Sequence, residues 1–176
     1  MGATIYGPTT IGPYSKVGGE VNNSVIFGNS NKAHAGYLGN SVVGEWCNLG
    51  ADTNNSNLKN NYAEVRLWSY ETENFANTGL QFCGLMMRDH SKCGINTMFN
   101  TGTVIGVSAN IFGTGFPRNF IPSFSWAGAS GFSTYLISKA FEVASVVMSR
   151  RGIEFSAQDT AILEQVFEQT SVFRKD

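Results

Sequence analysis

Two histidines are the side chains of this sequence best suited to acid–base chemistry near neutral pH. They are His34 and His90, and histidine is the side chain whose unperturbed pKa lies between pH 5 and 8. Either imidazole could take a proton from an attacking amine, as general-base catalysis requires. Both are candidate bases, although His90 follows Asp89 directly and is more typical of a corner residue paired with that carboxylate.

The cysteines indicate neither a metal site nor a disulfide framework. Cys47, Cys83 and Cys93 are odd in number, and none is spaced from another as metal ligands are. Two histidines without partners at ligand spacing do not predict a zinc site either. We therefore expect no metal, and free thiols in a reducing compartment.

The composition excludes several classes of function. Charged residues make up 14% of the 176 residues and the formal net charge is −1, so the chain lacks the basic surface that nucleic-acid binding needs. No run approaches the roughly 18 apolar residues of a membrane span, and no signal peptide opens the sequence. We expect a cytoplasmic protein with neither a nucleic-acid nor a membrane partner.

A repeat of six residues predicts the elements that position these side chains. Apolar residues recur every six positions in three blocks, which are Ile5, Ile11 and Val17; Tyr37, Val43 and Leu49; and Cys93, Phe99, Ile105 and Ile111. This period matches neither a helix nor a flat amphipathic strand. It predicts an all-β solenoid in which three short strands close a triangular turn around the repeated residues. A glycine follows most of them, at a corner where a Cβ would clash.

One long segment departs from the repeat. Residues 59–84 contain an alternating stretch at 63–68, a polar run at 69–79 and an apolar stretch at 80–83. This pattern predicts a protruding loop with one strand at 63–68 and a second at 80–83.

A helical tail is predicted after residues 128–131, which we expect to be a linker. Apolar residues from Phe132 to Met148 recur at helical spacing, up to a stop at residues 150–152. Ser156 and Asp159 predict the start of a second helix. Its apolar stripe consists of Ile162, Leu163, Val166 and Phe167. The predicted organisation is a solenoid over residues 1–127 and a helical tail over residues 128–176.

Several segments of the solenoid resemble a known family. Residues 31–40 (NKAHAGYLGN), 43–52 (VGEWCNLGAD) and 53–57 (TNNSN) are similar to the C-terminal half of bifunctional sugar-1-phosphate nucleotidylyltransferase/acetyltransferases. Residues 57–62 (NLKNNY) and 94–106 (GINTMFNTGTVIG) resemble the variant of Bacteroidetes-type bacteria and archaeal relatives. The resemblance covers about residues 4–125.

The resemblance implies a left-handed parallel β-helix, a homotrimer and an acetyl-CoA-dependent N-acetyltransferase. Its substrate would be an amino-sugar 1-phosphate, such as glucosamine-1-phosphate, in nucleotide-sugar biosynthesis for the cell envelope. Proteins of this family begin with a nucleotidylyltransferase domain, and nothing in this sequence resembles its glycine-rich nucleotide loop. We therefore expect the chain to be the C-terminal part of a longer protein.

The resemblance also implies roles for individual residues. His34 matches the catalytic base, and Asn57 matches an asparagine that contacts the sugar or orients the acetyl group. Tyr37 and Asn48 match residues of the sugar pocket. The candidate ligands of the sugar phosphate are Lys32 and Lys59.

Acetyl-CoA in this family lies in a groove between neighbouring solenoids and is held largely by backbone groups. The positions near that groove are Ala51, Ile95 and Gly113, with Arg118 as a candidate for the CoA phosphates.

Three positions depart from the family's pattern. Ala63 stands where the family has a lysine, Leu58 where many members have an aromatic residue, and Asp52 where they have a glycine. These departures keep a second function open, a non-catalytic solenoid that trimerises and supports the catalytic domain of a sugar-1-phosphate nucleotidylyltransferase.

Overall fold

The computed structural model describes residues 2–128 and 131–174, which form short strands wound into a coil and then two helices. In chain order the strands are β1 Ala3–Tyr6, β2 Thr10–Ile11, β3 Lys16–Val17, β4 Gly19–Asn22, β5 Val25–Ile26, β6 Asn31–Lys32, β7 Tyr37–Gly39, β8 Val42–Val43, β9 Asn48–Leu49, β10 Asn54–Asn55, β11 Arg66–Ser69, β12 Asn74–Asn77, β13 Met86–Met87, β14 Lys92–Cys93, β15 Met98–Phe99, β16 Val104–Ile105, β17 Asn110–Ile111, β18 Phe120–Ile121, β19 Ser125–Gly128 and β20 Gly131–Thr134. The helices are α1 Ile137–Ser149 and α2 Ala157–Gln169, followed by a 3-10 helix at Ser171–Phe173.

The coil has three faces of parallel strands. The first face contains β1, β4 and β7 and is continued by β10 and β15. The second face contains β2, β5, β8, β13, β16 and β18. The third face contains β3, β6, β9, β14, β17 and β19, with β20 added antiparallel at its end. Each turn adds one strand to each face, except that the last turn adds β18 and β19 without a strand of the first face. The predicted β-solenoid with a helical tail is confirmed, while its left-handedness stays a prediction.

One inward side chain from most strands of the coil builds the core. The first predicted block departs from this, because Ile5 and Ile11 belong to the first turn and are 46% and 40% exposed. The predicted block of Cys93, Phe99, Ile105 and Ile111 is buried throughout. At β7 the prediction is wrong by one position, because Leu38 is buried and Tyr37 faces outward. This strand has three residues rather than two, so its middle residue is the one that points into the coil.

The glycines and the left-handed residues at the corners serve different purposes. A Cβ on Gly50 would lie 2.4 Å from the carbonyl carbon of Gly94 on the next turn, which confirms the predicted clash. The backbone reverses direction at other residues. At the corner between the second and third faces φ lies between 53° and 61° at Tyr14, Asn29, Trp46, His90, Ser108 and Phe124. The backbone of each of these residues is in a left-handed conformation, which costs an L-residue about 1–2 kcal/mol.

Buried serine hydroxyls satisfy main-chain groups between the turns. Ser30 Oγ donates to Gly44 O at 2.6 Å and accepts a hydrogen bond from Cys47 N at 2.9 Å. Ser41 and Ser91 accept a main-chain N–H of a later turn in the same way, each at 2.9 Å. Buried polar groups are costly unless they are paired. These serines can therefore lie inside the coil because each hydroxyl is hydrogen-bonded to the main chain of another turn.

The insertion between β10 and β13 forms a hairpin with a different second strand from the predicted one. β11 pairs antiparallel with β12, which lies in the polar run, whereas residues 80–83 form no extended strand and contribute only the bridge between Leu58 and Phe82. The predicted strand at 80–83 is therefore wrong. Trp68 of the hairpin stacks on Phe120 of the second face, with ring centroids 4.1 Å apart, so the hairpin packs against the coil.

The tail begins as a strand and continues as two helices. Phe132 belongs to β20 and Leu136 caps α1, so the predicted start of the first helix was too early, although its end near residue 150 is confirmed. The structure describes neither Ala129 nor Ser130 of the predicted linker. Ser156 and Asp159 form a reciprocal capping box at the start of α2, as predicted.

The tail packs on the coil of its own chain. Phe124 of the corner, Ala140 of α1 and Leu163 of α2 form a buried cluster, against which Val166 and Phe167 pack. Ile162 lies outside it and is 54% exposed, which corrects the predicted stripe. Within residues 2–128 and 131–174, none of the helices has the length and apolar character that crossing a membrane requires.

We expect Leu163→Ala to lower the free energy of unfolding far more than Ile162→Ala. Leu163 is 5% exposed, and truncating a buried leucine costs about 2–5 kcal/mol. Urea denaturation of both variants and the wild type measures the difference. An equal effect of the two substitutions would contradict the packing of α2 on the coil.

Candidate functional site

The corner between the third and first faces brings together four of the predicted positions. They are His34, Ala51, Ile95 and Gly113, each in the segment that follows a strand of the third face. Successive turns are in register here, since Asp52 N donates to Ala35 O at 3.2 Å and Asn96 N donates to Ala51 O at 2.8 Å. The candidate base and the candidate cofactor positions therefore form one column along one edge of the coil.

His34 is exposed on the bend between β6 and β7. Among the described residues, neither of its ring nitrogens has a hydrogen-bond partner. The contacts of the residue are made by its main chain, whose carbonyl accepts from Lys32. The imidazole is therefore free to exchange a proton with a bound molecule, and no contact within the chain fixes its tautomer.

Lys32 lies inside the coil beneath His34. Its side chain is 1% exposed, and Nζ donates to His34 O at 2.7 Å, Ala35 O at 3.0 Å and Gly18 O at 3.1 Å. Burial lowers the pKa of this ammonium. Lys32 thus holds the bend that carries His34, and its charge is not displayed to a ligand at the surface.

The outer side of β7 carries a cluster of polar side chains. Asn57 Nδ2 donates to Tyr37 Oη at 2.8 Å and to Asn40 Oδ1 at 2.7 Å. The Tyr37 ring lies across Gly39, where a Cβ would be 2.0 Å from Tyr37 Oη. Gly39 therefore allows the phenol to reach along the strand to Asn57, and the structure joins two of the predicted site residues, Tyr37 and Asn57.

An acidic side chain lies beside this cluster. Glu20 is the register partner of Tyr37 in the neighbouring strand, and its Oε1 accepts the Tyr6 hydroxyl at 2.5 Å. This hydrogen bond raises the pKa of Tyr6 to about 12. Burial, and then the charge of Glu20, raise the pKa of Tyr37. Both phenols therefore keep their protons at neutral pH and can act as hydrogen-bond donors.

The other predicted site residues lie elsewhere. Asn48 is exposed on the third face, in register with Asn31 and Lys92. Lys59 Nζ donates to Glu64 O at 2.8 Å within the insertion. The guanidinium of Arg118 lies 5.3 Å from the ring centroid of Phe132, near the far end of the coil from His34.

Sequence reasoning missed three members of the polar group on the first face, namely Asn40, Glu20 and Tyr6. Asn40 has a left-handed backbone with φ of 50°, which asparagine tolerates, so its corner role hides its side-chain contact. The alternation of β1 and β4 places Tyr6 and Glu20 outward, and this was the signal that could have found them.

His90 is at a corner, as predicted, but its surroundings differ from the prediction. Asp89 does not pair with it, because Asp89 Oδ1 accepts from Glu45 N at 2.7 Å. The His90 ring stacks on Trp46 and lines a cavity of about 50 Å³ beneath α1. Burial, and secondarily Lys92, lower the pKa of His90 to about 4, against an opposing effect of Asp159.

This environment makes His90 a poor base for a molecule in solvent. Its Nδ1 is buried and has no hydrogen-bond partner among the described residues. The three cysteines are free and buried, and burial raises the pKa of each thiol. Within the part of the chain that the structure describes, no three of the histidine, cysteine and carboxylate side chains are grouped as metal ligands.

Comparison with known proteins supports the resemblance seen in the sequence. The chain is 33% identical over 89 residues to the bifunctional protein GlmU of Methanocaldococcus jannaschii, which covers 49% of this chain and 21% of that protein. It is 33% identical over 93 residues to the bifunctional sugar-1-phosphate nucleotidylyltransferase/acetyltransferase of Sulfurisphaera tokodaii, covering 53% of this chain and 23% of the relative. The resemblance is confirmed for about half of the chain.

The match to these relatives is partial in both directions. The chain spans about a fifth of the length of the curated relatives it matches. The GlmU of Methanococcus maripaludis is similar at 30% identity over 94 residues. No family model matches the chain.

We expect Gly39→Ala to destabilise the protein only when Tyr37 is present. The new methyl group would displace the phenol and break its hydrogen bond to Asn57, at a cost of about 1 kcal/mol. A double-mutant cycle with Tyr37→Ala, followed by urea denaturation, isolates this contact. If Gly39→Ala costs the same in both backgrounds, the ring does not depend on the missing side chain at position 39.

We expect the stability of the protein to fall as the pH drops from about 6.5 to about 4 because of His90. Its folded pKa of about 4 lies below the ordinary histidine value of 6.5, so protons bind the unfolded chain first and stability is fully present only above pH 6.5. The loss amounts to at most about 3 kcal/mol. His90→Asn suits the left-handed corner and serves as the control, because carboxylate titration is common to both proteins. Parallel urea midpoints for the two proteins across this window would refute the assignment.

Proposed function

We propose that this chain is an acetyltransferase domain that moves the acetyl group of acetyl-CoA to the amine of an amino-sugar 1-phosphate, with His34 as the general base. The observation that carries the proposal is the free, exposed imidazole of His34 at the start of the face that bears Tyr37 and Asn57. The names of the relatives, a bifunctional GlmU and a bifunctional sugar-1-phosphate nucleotidylyltransferase/acetyltransferase, support the role in sugar-nucleotide biosynthesis.

The reaction needs a base for the attacking amine. The lone pair of the substrate amine forms a C–N bond to the thioester carbonyl carbon, while His34 takes the proton that the nitrogen loses. The carbonyl electrons move to oxygen and return as the C–S bond breaks. The thiolate of CoA then takes the proton from the imidazolium, so that the products are the amide and free CoA and the base is regenerated.

The edge of the coil offers a surface for the cofactor. Ala51, Ile95 and Gly113 follow His34 along the same corner, and the side chain of Ile95 is exposed there. We propose that acetyl-CoA lies along this column and that a second copy of the chain forms the other wall of the groove in a homotrimer. Arg118 lines the same cavity as Gly113 and is a candidate for binding the CoA phosphates.

The substrate would meet the first face. Tyr37 and Asn57 provide a phenol and an amide for the hydroxyls of the sugar. Asn48 lies on the third face, on the other side of the corner that carries His34. It would therefore contact the substrate bound by a neighbouring chain of the trimer and not the substrate bound by Tyr37 of its own chain.

A second candidate function is a non-catalytic trimerisation solenoid that supports a sugar-1-phosphate nucleotidylyltransferase. The contacts of the two candidate phosphate ligands favour this function. Lys32 is buried and donates to three carbonyls, and Lys59 Nζ donates to a carbonyl within the insertion. A sugar phosphate would then lack a cation from either lysine.

We expect the purified chain to release CoA thiol from acetyl-CoA in the presence of glucosamine-1-phosphate, and His34→Ala to lower turnover by roughly two to four orders of magnitude. The assay is run on the species that sediments as a trimer. The chain's own thiols are buried with raised pKa values, so a thiol reagent reports mainly free CoA. His34→Gln tests the loss of the base with a side chain of similar size.

The other histidine supplies the matched control. His90→Asn should retain turnover at pH 7.5, because His90 lies beneath α1. Turnover that survives His34→Ala would refute the assigned base. A wild-type chain that neither releases thiol nor binds acetyl-CoA in calorimetry would refute the transferase and favour the scaffold.

A further inference from the structure

We propose that Asn40 is a positioning residue of the acetyl-transfer site, which holds the side-chain amide of Asn57 so that the site presents one acceptor, Asn57 Oδ1, beside one donor, the Tyr37 hydroxyl. The inference rests on the proposed function and adds the residue that sets the polarity of its substrate pocket.

Asn40 ties three parts of the chain together. It lies at the corner between the first and second faces, where its N donates to Asn22 O at 3.0 Å on the previous turn. Its main-chain O accepts from Gly84 N at 2.8 Å, where the insertion returns to the coil. Its side-chain Oδ1 accepts from Asn57 Nδ2 at 2.7 Å, where the insertion leaves the coil. One residue therefore holds both ends of the insertion.

The amide of Asn57 has no donor left for a ligand. Its Nδ2 carries two hydrogens, and these are donated to Tyr37 Oη and Asn40 Oδ1. Its main-chain carbonyl accepts from Cys83 N at 2.9 Å. The remaining polar atom of the side chain is Oδ1, so the side chain of Asn57 offers an acceptor and does not stabilise an oxyanion.

The same contacts set the direction of the Tyr37 hydroxyl. Tyr37 Oη accepts a hydrogen from Asn57, and burial together with Glu20 keeps the phenol protonated. Its own hydrogen must therefore point away from Asn57. A donor and an acceptor side by side fit a ligand group that also has both, such as neighbouring hydroxyls of a sugar or the carbonyl and N–H of an acetamido group.

Substitutions at position 40 test this polarity. Asn40→Asp keeps an acceptor for Asn57 Nδ2 and removes the donor, whereas Asn40→Ala removes both. We expect Asn40→Asp to keep kcat/KM within about threefold of the wild type, and Asn40→Ala to lower it by about 10- to 100-fold, because a small misplacement of a contacting group has an effect of that size. Asn40→Ala should add little in an Asn57→Ala background, since the two residues act together.

The chain offers a matched control for strain at the corner. Asn23 lies at the same corner one turn earlier, with φ of 45° against 50° for Asn40, and its side chain makes no hydrogen bond to another described residue. Asn23→Ala and Asn23→Asp therefore carry the backbone effects without the contact. Equal losses from Asn40→Ala and Asn23→Ala would overturn the proposal.

A readout independent of activity separates this inference from the proposed function. The side-chain amide protons of Asn57 are assigned in nitrogen-15 spectra by their absence in Asn57→Asp. The proton donated to Asn40 should move to higher field in Asn40→Ala, which removes its acceptor, and to lower field in Asn40→Asp, whose carboxylate is a stronger acceptor. If no amide proton of Asn57 shifts in opposite directions in the two variants, the amides have the reverse polarity and the proposal fails. If they behave as expected while the wild-type chain transfers no acetyl group, the proposed function fails and the catalytic role of Asn40 fails with it.

Discussion

The spacing of parallel main-chain hydrogen bonds between successive turns is the constraint on which the structure depends. Strands of two residues contribute few ladder bonds each, so the turns must stack in register at every corner as well as along every face. The glycines after the apolar positions leave no Cβ where the next turn passes, as the 2.3 Å approach at Gly106 illustrates. Buried hydroxyls such as Ser30 and Ser123 then pair the main-chain N–H groups that the short strands leave over.

This constraint explains which parts of the fold can be predicted from the sequence. One apolar residue in six is visible because the core accepts one inward side chain per strand, and the capping box of Ser156 is a local signal. β12 has only Phe75 and Ala76 as apolar residues and forms because Trp68 packs on Phe75 and Phe120. The strand therefore forms at β12 and not at the more apolar residues 80–83, because of tertiary packing that a single-sequence pattern does not show.

Some features of the candidate site could likewise be predicted from the sequence and others could not. His34 and Tyr37 are candidates because residue type and a short motif single them out, and Tyr37 and Asn57 are in direct contact. The position of Lys32 could not be found, because a lysine is usually exposed and its burial requires three carbonyls from two turns to converge. The partner of Asn57 was equally hidden, since Asn40 is 17 residues away in sequence.

The site lies where the regular ladder of the first face is interrupted. Between β7 and β10 the main-chain donors of Tyr37 and Gly39 bond to the side-chain oxygens of Asn54 and Asn55 instead of to carbonyls, and Asn55 Nδ2 returns a bond to Gly39 O, so that its amide takes the place of a peptide group. These side-chain amides replace carbonyl and N–H groups of the ladder, so the main-chain groups of Tyr37 and Gly39 stay paired. The insertion starts just after these strands. Its length adds little to the free energy of folding, because the entropic cost of closing a loop grows slowly with loop length. Among the described strands of this face, the regular main-chain ladder is therefore interrupted beside Tyr37 and Asn57, the two candidate site residues that are in contact.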